Sequence, residues 1–296
     1  MPRTPRGAVT LAEETPRTPR QRRLAALLVV LVVGVVATAA WLGARHLLTI
    51  VTGEQCRVTV AGSTFEWAPD QASNAAAITA IAIKRDLPPR AASIAIATAM
   101  QESKVRNIRF GDRDSLGLFQ QRPSQGWGTA EQILDPEYST NKFYDELVKI
   151  KGYASMDIAQ AAQAVQRSAQ GSAYAQHEAQ ARATASALSG QTHEAIGCAL
   201  RDPATPGTTD ALVALVEKDL GLRATAEGSV VTVEADSDDL AWAVGSWGVA
   251  RATDTGVVRV VVGDREWQRA MDDAAFTWHP AGQPTSGSRT VTLHLA

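Results

Sequence analysis

The 296 residues carry 29 basic and 31 acidic side chains and are 45% hydrophobic, which allows two domains of ordinary size with a packed core. The acidic balance argues against a nucleic-acid-binding protein. Two cysteines without CxxC spacing and five scattered histidines mark no metal site, and no cofactor is expected.

Residues 1–23 hold six arginines, two glutamates and a repeated Pro-Arg-Thr-Pro-Arg phrase, the composition of a disordered basic arm. Residues 24–42 then run without a charge, a length that at about 1.5 Å per residue approaches the roughly 30 Å bilayer core. A transmembrane helix or signal anchor is expected over 24–43, with the arm cytoplasmic and the rest exported. The alternative is secretion after cleavage near Ala39, because Ala37-Thr38-Ala39 fits a small-residue cleavage pattern. Taking the arm's charges from the total leaves 23 basic against 29 acidic groups. An exported part of that sign gains no electrostatic attraction to an anionic partner and must rely on specific contacts.

Cys56 and Cys198 bracket the middle of the chain. Outside the cell such a pair can oxidise, and the chain-entropy model gives a loop this long about 4 to 5 kcal/mol. Two unconnected thiols, or a metal pair, are the alternatives. Between them, residues 57–69 read as a short strand or extended lead-in. Asp70 can cap a helix over 71–85, whose stripe of Ala75, Ile78 and Ile81 or Ala82 faces a core. Pro88 and Pro89 open a second helix whose residues 90–100 are almost all small or aliphatic. Ile94, Thr98 and Glu102 fall on one of its faces. Partial burial and the negative end of a helix both favour the neutral form of a carboxyl group, the form general acid catalysis uses. A solvated residue at a helix end is the plainer reading of Glu102.

Residues 104–126 turn polar and glycine-rich, as a loop over a binding cleft would. Glu102-Ser103, followed by Gly117-Leu118-Phe119-Gln120 and Pro123, resembles the Glu-Ser and Gly-Leu-Met-Gln-x-x-Pro signatures of soluble lytic transglycosylases and goose-type lysozymes. The stretch 111–128 resembles more closely a group of membrane-anchored actinobacterial lysozyme-like proteins. Leu134-Asp135-Pro136 with Phe143-Tyr144 and Leu147 is similar to the family's next helix, and residues 161–174 to its last. The match spans about residues 70–188. Phe119 stands in place of the usual Met, and Val165-Gln166-Arg167-Ser168 in place of Tyr-Asn-Ala-Gly.

The resemblance implies cleavage of peptidoglycan between N-acetylmuramic acid and N-acetylglucosamine, with Glu102 as acid first and base second. In lytic transglycosylases the substrate's 2-acetamido group assists and its 6-hydroxyl attacks, so no second carboxylate is required. In an inverting hydrolase a second carboxylate about 6.5 to 9.5 Å away activates water, a task Asp112 or Asp114 could take; otherwise these two form a solvated loop paired with Arg113. Ser115 and Gln120 can hydrogen-bond sugar groups, and Gly117 permits close approach of backbone to ligand. Trp127 can stack on a sugar or plug the core. Tyr174 matches a family position near the catalytic acid if its helix keeps register.

Helices over 132–149 and 157–189 would complete an all-α domain, with Tyr138, Phe143 and Tyr144 in its core. Residues 200–209, with two prolines and a glycine, read as a linker. Beyond it, helices at 210–220 and 238–250, the latter capped by Ser237, join strands at 229–234, 257–262 and 289–295. Asp264 to Trp267 reads as a binding edge or a capped helix start. The expected fold is thus a mainly α lysozyme-like domain over 56–199 plus a small α+β domain over 210–296, after a single N-terminal transmembrane helix. Two functions fit: a membrane-anchored peptidoglycan-cleaving enzyme, or a sugar-binding scaffold of the cell envelope with little turnover. The expected partners are glycan strands, the membrane and an envelope protein docked through the C-terminal domain.

Overall fold

Val58 and Val60 alternate with polar neighbours and build strand β1 (Gln55–Val60). The chain then reverses at Ala61 and Gly62, whose φ angles of 50° and 77° suit the tight turn of a hairpin, and returns as β2 (Ser63–Trp67). This computed structural model describes residues 31–38, 41, 53–166 and 171–296. Strand β3 (Ile196–Ala199) covers the other edge of β1 and sets Cys198 directly opposite Cys56. The two form a disulfide whose sulfurs lie in a fully buried site. It closes a loop of 142 residues, for which the chain-entropy model gives about 5 kcal/mol. The double variant Cys56→Ala/Cys198→Ala is expected to lose most of that, read as a lower urea midpoint in equilibrium unfolding.

Inside that loop lie the helices. Helix α1 (Pro69–Lys84) opens on Pro69, and the amide of Ala68 donates to Gln71 Oε1 at 3.0 Å, so Gln71 supplies the capping contact expected of Asp70. Helix α2 (Pro89–Ser103) also begins at a proline. The single helix expected over 132–149 is two, α3 (Ala130–Ile133) and α4 (Pro136–Leu147), because Asp135 caps a new start at Pro136. The helix expected over 157–189 divides likewise into α5 (Ile158–Gln166), a 3-10 turn (Gly171–His177) and α6 (Glu178–Leu188).

After residue 200 come α7 (Thr209–Leu220), β4 (Ala224–Glu227), β5 (Val230–Glu234), α8 (Asp238–Ala250), α9 (Ala252–Thr255), β6 (Val257–Val262), β7 (Arg265–Gln268), β8 (His279–Pro280) and β9 (Thr290–Leu295). The strands make one antiparallel sheet in the order β4-β5-β9-β6-β7-β8. Helix α8, capped by Ser237 Oγ on the amide of Leu240 at 3.1 Å, packs on β6 and β9. Asp264 to Trp267 is the turn into and body of β7, with Trp267 buried and its indole N–H on Ala275 O at 2.8 Å.

The fold class therefore corrects the expectation. The chain is mixed α/β with two antiparallel sheets, of three and six strands, in place of a mainly α domain followed by a three-stranded module. The physical reason is long-range pairing: β3 completes the first sheet from 142 residues away, and β4, β7 and β8 are edge or near-edge strands with few apolar residues. Among the described residues no helix is long and apolar enough to cross a membrane. The arm at 1–23, and all of the span at 24–43 except residues 31–38, which are helical, and 41, lie outside the described residues.

Residues 54–296 form one unit, separate from 1–53. Within it α1 packs against α7, α8 and α9 as well as α2 and α4. Ser73 of α1 is hydrogen-bonded to Asp254 and, at 3.0 Å, to Arg251. Asp219 accepts from Trp247 Nε1 at 3.0 Å and lies 3.5 Å from Arg251. Burial of Asp219 raises its carboxyl above the usual carboxylate range against the pull of Arg251. The close approach is tightest at Gly190, with φ 74°, where a Cβ would stand 1.8 Å from Asp239 O of α8. Only glycine fits there.

Candidate active site around Glu102

Helix α2 can run through the interior because positions 91, 92, 94–97 and 99 are alanine or isoleucine, all fully buried. It packs along α6, α5, α1 and the 3-10 turn. The helix stops where Lys104 and Val105 take left-handed conformations, with φ 56° each, and the amide of Val105 returns to Ala99 O at 2.9 Å. Helix α1 clamps that end: Gln71 Nε2 donates to Lys104 O at 2.8 Å, Asn74 Nδ2 to Val105 O at 2.9 Å, and Arg106 pairs with Asp70 at 2.7 Å. The backbone carrying Glu102 is thereby fixed from one side.

Ser103 fixes it from the other. Its buried hydroxyl donates to Leu118 O at 2.7 Å and accepts from the amide of Arg106 at 3.2 Å, tying the Gly-Leu-Phe-Gln turn to the helix end. Gly117 (φ 76°) is required in that turn, since a Cβ would stand 2.7 Å from Ile133 O. Phe119 stacks on Phe143 with centroids 4.6 Å apart, and Gln166 Nε2 donates to Phe119 O at 2.7 Å. The turn is thus held by α2, α4 and α5 together.

Glu102 is half-buried, and its Oε1 accepts from the hydroxyl of Tyr174 at 2.7 Å. Tyr174 is only 2% exposed, so its ring is fixed by packing while its hydroxyl meets the carboxyl group. Two residues 72 apart in sequence meet here. A half-open carboxyl group, oriented by a buried phenol on a clamped helix end, can deliver a proton to a bound ligand and take one back.

The other expected site residues fall differently. Gln120 (φ 48°) spends its side chain on the loop, Nε2 donating to Gly117 O at 3.2 Å while Oε1 lies over Gly111. Ser115 is buried, and Trp127 is half-buried against the core. Asp112 is almost wholly exposed, its nearest cation the Arg113 Nε at 3.9 Å. Asp114 accepts from Arg122 Nε at 2.7 Å and from the amide of Ser124 at 2.8 Å. Hydrogen bonds from Ser124 first and Arg122 next hold its carboxyl far below the ordinary range. Because the folded value is depressed, this contact is fully present above the unfolded Asp range and is lost only as pH falls through the lower folded value. Hydrogen exchange should therefore find the Ser124 amide still protected at about pH 3, below the usual Asp value of about 3.9. Asp114→Ala should remove that protection at every pH.

Gln166, Arg122 and Ser124 were not legible as supports of the site. The one available signal was Gln166 itself, a long amide in the stretch where the chain departs from Tyr-Asn-Ala-Gly. No protein-family model matches the chain, and no curated protein matches it.

Proposed function

We propose that the protein cleaves the glycan strands of peptidoglycan between N-acetylmuramic acid and N-acetylglucosamine, with Glu102 as general acid and then general base. The observation that carries this reading is the 2.7 Å hydrogen bond from Tyr174 to Glu102 at the clamped end of α2. The motif resemblance around Glu102-Ser103 and Gly117 to Gln120 supports the substrate class.

In the first step Glu102 gives its proton to the glycosidic oxygen as the C1–O bond breaks and the substrate's 2-acetamido oxygen bonds to C1. In the second, the Glu102 carboxylate removes the proton of the 6-hydroxyl as that oxygen displaces the acetamido oxygen, leaving a 1,6-anhydro sugar and the neutral acid. One carboxyl group suffices. The engagement of Asp114 by Arg122 and Ser124, and the outward position of Asp112, favour this route over one needing a second carboxylate.

The test is to incubate the full chain with purified peptidoglycan and weigh the released fragments, with Glu102→Gln as the blank. Anhydro ends that are absent from the blank are the expected result. Reducing ends would move the reaction to hydrolysis and return Asp112 or Asp114 to the mechanism. Binding of strands by both proteins with no fragment from either would replace catalysis by a sugar-binding scaffold.

A further inference from the structure

The loop after Glu102 differs in charge from the rest of its unit. Residues 54–296 carry 22 basic and 29 acidic side chains, yet residues 104–122 carry five basic and two acidic. Two of the five are engaged by neighbours, Arg106 by Asp70 and Arg122 by Asp114, each at 2.7 Å. Lys104 and Arg109 are exposed and, among the described residues, have no carboxylate within ion-pair distance. Arg113 is exposed as well and meets the open carboxylate of Asp112 at 3.9 Å.

Between Arg109 and Arg113 stands Phe110, 75% exposed and the most exposed large apolar side chain among the described residues. The backbone on either side of it is pinned. The amide of Gly117 donates to Ile108 O at 2.8 Å, and that of Ser115 to Asp112 O at 3.1 Å. An apolar ring is thus held in water on a fixed turn, with a guanidinium group close to it in sequence on both sides.

That combination selects among partners. A purely anionic ligand would satisfy the arginines and leave the ring in water. A protein partner needs an apolar patch of interface size, but in the described part of 54–296 the other exposed large apolar side chain is Val148, outside this loop. A bilayer interface accepts a lone ring, and its phosphates move laterally to meet each guanidinium group.

We propose that the tip at 109–113 is a contact for an anionic phospholipid surface, with Phe110 entering the interface and Arg109 and Arg113 meeting lipid phosphates. It supplies locally the attraction that the acidic unit lacks as a whole. The contact goes beyond glycan cleavage and does not depend on it, since neither arginine nor Phe110 takes part in the proposed chemistry.

The experiment labels the full chain with 4-fluorophenylalanine and assigns the Phe110 signal, one of five, as the one missing in Phe110→Leu. A readout at the ring itself separates this contact from any lipid binding by the apolar run at 24–42. The protein is placed in lipid discs of phosphatidylcholine alone, or of equal parts phosphatidylcholine and phosphatidylglycerol. A nitroxide carried on the lipid should relax the Phe110 signal at least about fivefold faster in the anionic discs, the effect of one arginine near such a surface. The double variant Arg109→Gln/Arg113→Gln should bring the two lipids level, and added salt should do the same. Asp112→Asn, which removes the opposing charge, should hold the difference to higher salt. Equal relaxation in the two lipids, or a difference that survives loss of both arginines, would overturn the contact. A Phe110 signal that answers soluble poly-L-glutamate and ignores the anionic discs would overturn it too, in favour of an acidic protein partner.

Discussion

Glu102→Gln is expected to slow the proposed glycan cleavage by about 10² to 10⁴-fold, the range for loss of a positioned proton donor. Glutamine keeps the shape of the side chain and an oxygen that can still accept from the Tyr174 hydroxyl, so the site should survive and only the chemistry should go. The variant's melting temperature and strand binding should therefore match the wild type while kcat collapses. Retention of a tenth or more of the activity would place the acid elsewhere. Tyr174→Phe removes the hydroxyl but leaves the buried ring. It should lower kcat about tenfold with KM nearly unchanged, because the lost contact is the one that orients the acid.

The second large effect concerns the far half of the chain. A protein ending at Asp202 would lack α7, α8, α9 and the six-stranded sheet, and the elements around Glu102 would lose their packing partners. Helix α1 would lose its cover from α7, α8 and α9, and Ser73 its bonds to Asp254 and Arg251. Ile196 O would lose the N–H of Trp278 at 2.9 Å, and His193 the Trp242 ring stacked 5.0 Å away. Loss of a single buried tryptophan costs about 3 to 5 kcal/mol, and Trp242 and Trp278 together approach the whole 5 to 15 kcal/mol of an ordinary domain. The truncated chain should show no near-ultraviolet dichroism and no cooperative thermal transition, and residues 54–296 of the intact protein should melt in one step. A sharp transition with intact Glu102 activity in the truncated chain would show that this packing is dispensable.

What could be read from the residues depended on how local the cause was. Helix α2 announces itself through Pro88-Pro89 and its run of alanine and isoleucine, and α8 through Ser237 and the acids of its first turn. The disulfide was legible from two cysteines that bracket one region. The hairpin was half legible: Val58 and Val60 mark a strand, but Ala61 carries no turn signal of the Asn-Gly kind. Strand β4 is ATAE and β7 is REWQ, each with little alternation to show, because β4 is the edge of the sheet and β7 is flanked on its outer side only by the two residues of β8. Within the site, Glu102 stood out by its place on the helix face, and Ser103 only through the resemblance of Glu102-Ser103 to a family signature. The Tyr174 contact depends on where α5, the 3-10 turn and α6 place a ring 72 residues away, which no local pattern encodes.

The pairing of β1 with β3 also constrains the order of events during folding. Strand β1 can take β2 as a partner almost at once, but its other edge stays open until a strand 142 residues further along has been made and brought back. Contacts of such separation are entropically late, and proteins rich in them fold slowly. During that interval the early hairpin presents an unsatisfied edge to any neighbouring chain. Oxidation of Cys56 with Cys198 then serves as a clock for the arrival of β3. The rate at which free thiol disappears during refolding measures the slowest step in assembling the frame that closes around Glu102.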